Sequence, residues 1–200
     1  MPFFFKEKNL KAALCCLIFA LAANTAVAQR FRAILQGGIN LSQVDGDGLA
    51  GYNKPGLAGG IQTNAVVSDR WEWSLGIAFS QQGARNALDN PASAIEAIQL
   101  NTIEMPVMLH FNEWKFQLGA GSAFNRLISG RVTDITGADV SSLQPLRENQ
   151  FSAVVECKVF LKENSGFGLR WYKNLFNIKS DRASGAWIGR TVNLHAFLRL

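Results

Sequence analysis

The chain has 200 residues, 48% of them hydrophobic and 18% charged, with a formal net charge of +5. That length suits one domain with a core large enough to need no disulfide staples. The basic residues are scattered rather than clustered, which argues against a nucleic-acid footprint.

The first 28 residues read as an export signal. Lys6, Lys8 and Lys11 precede an apolar run over residues 12–23, and Ala26-Val27-Ala28 supplies an A-x-A cleavage site at Ala26 and Ala28. The apolar run is shorter than the roughly 20 residues a transmembrane helix needs. Removing three lysines and one glutamate lowers the charge from +5 to +3 for residues 29–200. Of the three cysteines only Cys157 then remains, so no internal disulfide is expected. Cys157 itself reads as a small apolar strand residue.

The first predicted strand covers residues 29–43. It sets Phe31, Ala33, Leu35, Ile39 and Leu41 against Arg30, Arg32, Gln36, Asn40 and Ser42. Alternation of period two is the mark of a strand whose faces meet different environments. A Gly- and Asp-rich loop follows to Gly56, then a second strand over 57–67. The third, over 71–83, alternates most strictly: Trp71, Trp73, Leu75, Ile77 and Phe79 oppose Glu72, Ser74, Gly76, Ala78 and Ser80. After a loop over 83–97 comes a fourth strand over 98–111, where Pro106 removes a ladder donor and predicts a bulge or irregular spot. Asn112-Glu113 is the predicted turn into a fifth strand over 114–125. A loop over 129–148 lacks alternation. Three more strands follow over 151–161, 166–178 and 187–200.

Eight strands of about ten residues, with short turns at one end and long loops at the other, predict an all-β, eight-stranded antiparallel up-and-down transmembrane barrel. The bulky face would meet lipid and the small or polar face would fill the lumen. Trp71, Trp73, Phe111, Trp114, Phe116 and Phe167 fall near the short turns, where an aromatic girdle belongs. A soluble lipocalin-like barrel would reverse the faces. Its outer surface would then carry Gly60, Gly76, Gly119, Gly121 and Gly168, where dense Lys and Glu are expected.

Five stretches carry a resemblance to a known family. They are Gly38-Ile39-Asn40-Leu41-Ser42, Lys54-Pro55-Gly56 and Phe79-Ser80-Gln81-Gln82-Gly83-Ala84, then Ile103-Glu104-Met105-Pro106-Val107, and Gly168-Leu169-Arg170-Trp171-Tyr172 with Asn177-Ile178. In order and spacing the chain resembles the PorT-like outer-membrane β-barrel proteins of Gram-negative bacteria, within the broad porin-type group. The resemblance implies an eight-stranded outer-membrane barrel and a link to protein secretion. One departure is the terminal Leu200, where assembly signals of such barrels usually end in an aromatic residue.

The predicted lumenal face holds Arg30, Arg32, Glu72, Glu104, Lys115, Glu156, Lys158, Arg170, Tyr172 and Arg199. Charges of both signs in a narrow lumen must pair, because a buried unpaired charge is costly. Glu156 and Arg170 should come roughly opposite each other across the sixth-to-seventh turn. The expected result is a plugging network centred on Glu104, Glu156 and Arg170; the alternative is a polar path for solutes. His110 and His195 share this face but have no nucleophile or acid pair in a recognisable motif, so no catalytic role is expected. Asp45 and Asp47 lack the spacing and terminal Glu of a calcium loop, and neither metal nor cofactor is expected.

The sequence thus predicts an exported monomeric barrel of the bacterial outer membrane, residues 29–200, embedded in the lipid bilayer. Its expected role is structural or interactive, with envelope or secretion proteins met through long outer loops. A narrow porin-like pore and a soluble ligand-binding barrel are the alternatives.

Overall fold

The computed structural model describes residues 31–46, 48–49, 51–86, 94–180 and 185–200. The predicted signal segment with Ala26 and Ala28, and also Arg30 and Asp47, lie outside the described residues.

Eight strands follow in chain order: β1 (Phe31–Asp45), β2 (Lys54–Val66), β3 (Trp71–Arg85), β4 (Ile95–Glu113), β5 (Phe116–Asp134), β6 (Asn149–Lys162), β7 (Ser165–Asn174) and β8 (Ile188–Arg199). Each pairs antiparallel with its sequence neighbour, and β8 returns to β1, so the barrel is closed. Closure leaves no exposed edge and satisfies the backbone without water. Residues Trp114–Lys115 and Glu163–Asn164 make tight turns at the end that also holds Phe31 and Arg199. The longer connections lie at the opposite end.

Side-chain alternation sorts inside from outside. In β3 the residues from Trp71 to Ser80 alternate strictly between exposed and buried. Leu75 is 60% exposed and Ile61 58% exposed, whereas Asn64 and Lys158 are fully buried. The apolar face is therefore outside. An inside-out, lipocalin-like arrangement is excluded, because the lumen holds the polar groups.

Two local expectations are corrected and a third is made specific. Strand β4 continues through Glu113, which pairs with Phe116, so the turn is Trp114–Lys115 rather than Asn112-Glu113. Trp114 takes φ +52°, a left-handed conformation that a two-residue hairpin loop demands of its first residue. Pro106 sits at an irregular spot, as expected, without a bulge: it pairs with Ala123 in register, its ring turned inward against Gly76. What it loses is pairing on its other side, where the β3–β4 partners jump from Leu75↔Val107 to Ala78↔Glu104. Last, β5 runs on to Asp134 through residues expected to form a loop. A register shift opposite Asn101 and Thr102 places Ile128 in a bulge, and beyond it the inward positions change parity, with Val132 buried.

Candidate functional site

The lumen is filled from end to end by side chains that the two-residue period points inward. At its centre, Glu156 and Arg170 are direct cross-strand partners of β6 and β7. Arg170 Nε donates to Glu156 Oε1 at 2.6 Å, and its Nη2 lies 2.5 Å from the same oxygen. The guanidinium also donates to Gln36 Oε1, Gln62 Oε1 and the Tyr172 hydroxyl, each at 3.0 Å. One planar cation thus ties β7 to β1, β2 and β6. Lys158 Nζ sits 2.9 Å from the other carboxylate oxygen of Glu156. His195 Nε2 lies 3.4 Å from Oε1, and His110 Nδ1 3.8 Å from Oε2.

Both histidine rings occupy the space over glycines. A Cβ on Gly119 would come within 2.4 Å of His110 Nδ1, and one on Gly168 within 2.3 Å of His195 Nε2. These glycines are lumenal because the rings need the space.

Toward the long-loop end, Glu104 accepts a hydrogen bond from Gln82, and Ser80 and Tyr172 also bond to it. Gln82 in turn accepts from Thr191 at 3.1 Å, carrying the network to β8. Toward the short-turn end, Glu72 accepts from Arg32 at 2.7 Å, Asn64 at 2.7 Å and Gln117 at 3.2 Å.

Apolar groups close both ends of this polar column. At the short-turn end Phe160 and Phe197 meet edge to face at 5.0 Å, and Arg199 lies over the Phe160 ring at 4.7 Å. At the long-loop end Val44, Leu49, Ala84, Ile98, Leu100, Val132, Ile178 and Trp187 form a buried cluster. Lys179 caps it with its ammonium 4.4 Å from the Trp187 ring centre. Two lumenal voids between these layers each have space for about one water.

Of the predicted lumenal residues, Glu156, Arg170 and Lys158 gather at the centre, Tyr172 and Glu104 follow toward the long loops, and Glu72 and Arg199 lie toward the short turns. Lys115 does not enter the lumen. It occupies the turn before the first paired residue of β5, and its ammonium lies 5.3 Å over the exposed Trp114 ring. Sequence reasoning passed over Gln36 and Gln62 as bonding partners of Arg170. It also passed over the apolar lumenal residues Ile34, Ile98, Leu100, Val132, Phe160 and Phe197. Their inward parity was the available signal, but their chemistry reads as lipid-facing.

Of the predicted girdle residues, Trp71 and Phe111 stack across β3 and β4 with ring centres 5.0 Å apart. Trp73, Phe116 and Phe167 are exposed on the outer face, and Trp114 projects from its turn, 84% exposed. Among the described residues, no group of three His, Cys, Asp or Glu side chains is gathered as a metal site.

No family model and no curated protein matches the chain. Solved structures do. Ail, the attachment invasion locus protein of Yersinia pestis, is similar with a TM-score of 0.51 at 12% identity, over 86% of this chain and 99% of that one. Neisserial surface protein A aligns with a TM-score of 0.46 at 11% identity, over 85% and 97% of the two chains. The outer membrane protein OprG of Pseudomonas aeruginosa aligns with a TM-score of 0.41 at 12% identity, over 86% and 94%. The likeness to Ail is one of fold. An apolar exterior on a closed barrel with no free edge has lipid as its only compatible surroundings. The protein is an eight-stranded antiparallel up-and-down β-barrel embedded in the bacterial outer membrane.

Proposed function

We propose that this barrel is a sealed scaffold that holds ordered outer loops for a partner in or outside the envelope, rather than a conduit. The observation that carries this reading is the double closure of the lumen: the Phe160–Phe197 pair at one end and the Ile98–Val132–Trp187 cluster at the other. The polar column between them is cross-linked through Arg170 and Glu156, which suits a plug better than a path. Eight strands leave room only for side chains in any case.

The loops support the second half of the proposal. Arg147 N–H donates to Ile178 C=O at 2.7 Å and Ser180 N–H to Pro145 C=O at 2.9 Å. Leu146 and Lys179 form a β-bridge, and Arg147 Nε donates to Lys179 C=O at 3.1 Å. The β5–β6 and β7–β8 connections are thereby pinned to each other where they run on beyond the β6–β7 ladder. Loops ordered before binding lose less entropy on contact. Catalysis forms no part of this reading, and the resemblance to PorT-like proteins suggests a secretion component as the partner.

Reconstitution into planar bilayers tests the sealed lumen. No stepwise conductance is expected from folded barrel. Reproducible single-channel steps would overturn the scaffold reading in favour of a narrow pore.

A further inference from the structure

Lys173 and Arg190 stand directly opposite each other on β7 and β8, both pointing outward. Like charges placed directly across a ladder destabilise a sheet unless something neutralises them. Arg190 is partly neutralised: its Nη2 lies 2.7 Å from Asp45 Oδ2, and Gln43 donates to the other oxygen of Asp45 at 2.8 Å. Among the described residues Lys173 has no acidic partner, and it is exposed.

The height of this pair is unusual. Lys173 lies as many residues above the start of β7 as Phe79 does above the start of β3 and Phe124 above the start of β5. At about 3.3 Å per residue that is about 26 Å along the strand. At the same step β3 and β5 present Phe79 and Phe124, and Phe124 meets its β6 partner Phe151 edge to face at 5.4 Å. The cationic pair therefore interrupts an upper aromatic band on one side of the barrel. Directly below it the exterior is apolar, with Leu169 and Leu194 paired and about half exposed. Trp171 stands between, its Nε1 3.4 Å from the Tyr52 hydroxyl of the β1–β2 loop.

We propose that Lys173 and Arg190, with Trp171 and Tyr52, bind the phosphorylated sugar headgroup of an outer-leaflet glycolipid. The two cations take the phosphate, the aromatic pair takes the sugar, and the acyl chains run down over Leu169 and Leu194. Only a headgroup attached to chains satisfies the cationic and apolar parts together. The inference rests on the reading of this barrel as membrane-embedded with its long loops outward.

The test uses folded barrel in detergent and diphosphoryl lipid A as probe, with bound lipid counted by native mass spectrometry. Each basic residue near an anionic lipid surface contributes enough that K173Q/R190Q should weaken binding by about thirtyfold. Dephosphorylated lipid A should bind wild type as weakly as the diphosphoryl form binds the double variant, and millimolar inorganic phosphate should not displace the lipid. Equal binding to wild type and variant, equal binding with and without phosphates, or displacement by inorganic phosphate would each overturn the proposal. A boiled-against-unboiled gel shift on the same samples separates the two readings. If the shift is kept without discrimination, the lipid site fails alone; if it is absent, the membrane-barrel reading fails first.

Discussion

Arg170 and Glu156 face each other at one step of the β6–β7 ladder, and the guanidinium donates from Nε to the carboxylate at 2.6 Å in a lumen filled by side chains. Arg170 has further partners on β1, β2 and β7, and Glu156 also contacts Lys158. The pair is the hub of the plug. Replacing Glu156 by Gln leaves two buried cations without their counter-charge. Breaking a buried pair from one side costs about 3–5 kcal/mol. Urea unfolding of E156Q in lipid vesicles should show a loss of that size; stability within error of wild type would show that Glu156 is not the hub.

Glu104 is held by neutral donors, Gln82, Ser80 and Tyr172. Its exchange for Gln removes charge-assisted hydrogen bonds but strands no cation in the same way. The expected loss for E104Q is smaller, about 1–3 kcal/mol, in the same unfolding assay. A loss equal to that of E156Q would mean the two carboxylates act as one unit.

Glycine substitutions separate the two faces of the barrel. A methyl at Gly168 or Gly119 meets a buried histidine ring well inside contact distance. Overpacking of this kind costs about 1–3 kcal/mol. Gly37 lies on the outer face, and a Cβ there has only Ala58 C=O, 4.0 Å away. G37A should be neutral where G168A and G119A destabilise. The opposite order would contradict the assignment of faces.

At the outer end of β5 and in the connection after it, the carboxylates of Asp134 and Asp139 have pKa values below the ordinary range. Asp134 is held down chiefly by the Thr136 hydroxyl, then by the Ala138 N–H; Asp139 chiefly by the Ser141 hydroxyl. A depressed folded pKa stabilises above the unfolded value, near about 4, and that contribution fades as pH falls through the folded value. Amide protection factors in residues 134–141, taken against the intrinsic rate at each pH, should therefore fall on acidification below that range, while β3 stays protected. Unchanged local protection in acid would refute the role of these two caps.

Trp114 holds a left-handed conformation at φ +52°. The strain for a non-glycine residue there is about 1–2 kcal/mol. W114G should leave stability in detergent unchanged or raised by about 1 kcal/mol, yet lose any contribution of this indole to the bilayer interface. A clear loss of detergent stability would show that the Trp114 ring, with Lys115 over it, braces the turn itself.

Much of this fold was legible in the sequence because a strand in a barrel has only two faces. The register shift between Phe160 and Lys162 makes Glu156 and Arg170 direct partners, but alternation alone is enough to set both on the lumenal face. It is also enough to put Trp73 outside and Ser74 inside. Legibility ended where that count is interrupted. The bulge at Ile128 changes parity within β5, so Val132 reads as part of an irregular loop although it is a buried strand residue. The turn at Trp114–Lys115 was displaced because a bulky aromatic is an unusual occupant of a left-handed position, and Asn112-Glu113 looks the better turn. Composition misled at both mouths. Phe160, Phe197, Ile98 and Leu100 point into the lumen, but their chemistry is that of the lipid face.

A sealed, polar-filled barrel requires that its apolar face meet lipid. Single-tryptophan variants in bilayers of brominated lipid test this most directly, since bromine quenches only indoles within contact range. Of the chain's five tryptophans, Trp73 is 49% exposed on the outer face and Trp187 is 3% exposed within the upper cluster. Strong quenching of Trp73 with none of Trp187 is the predicted result. An unquenched Trp73, or a Trp187 quenched as strongly, would contradict it.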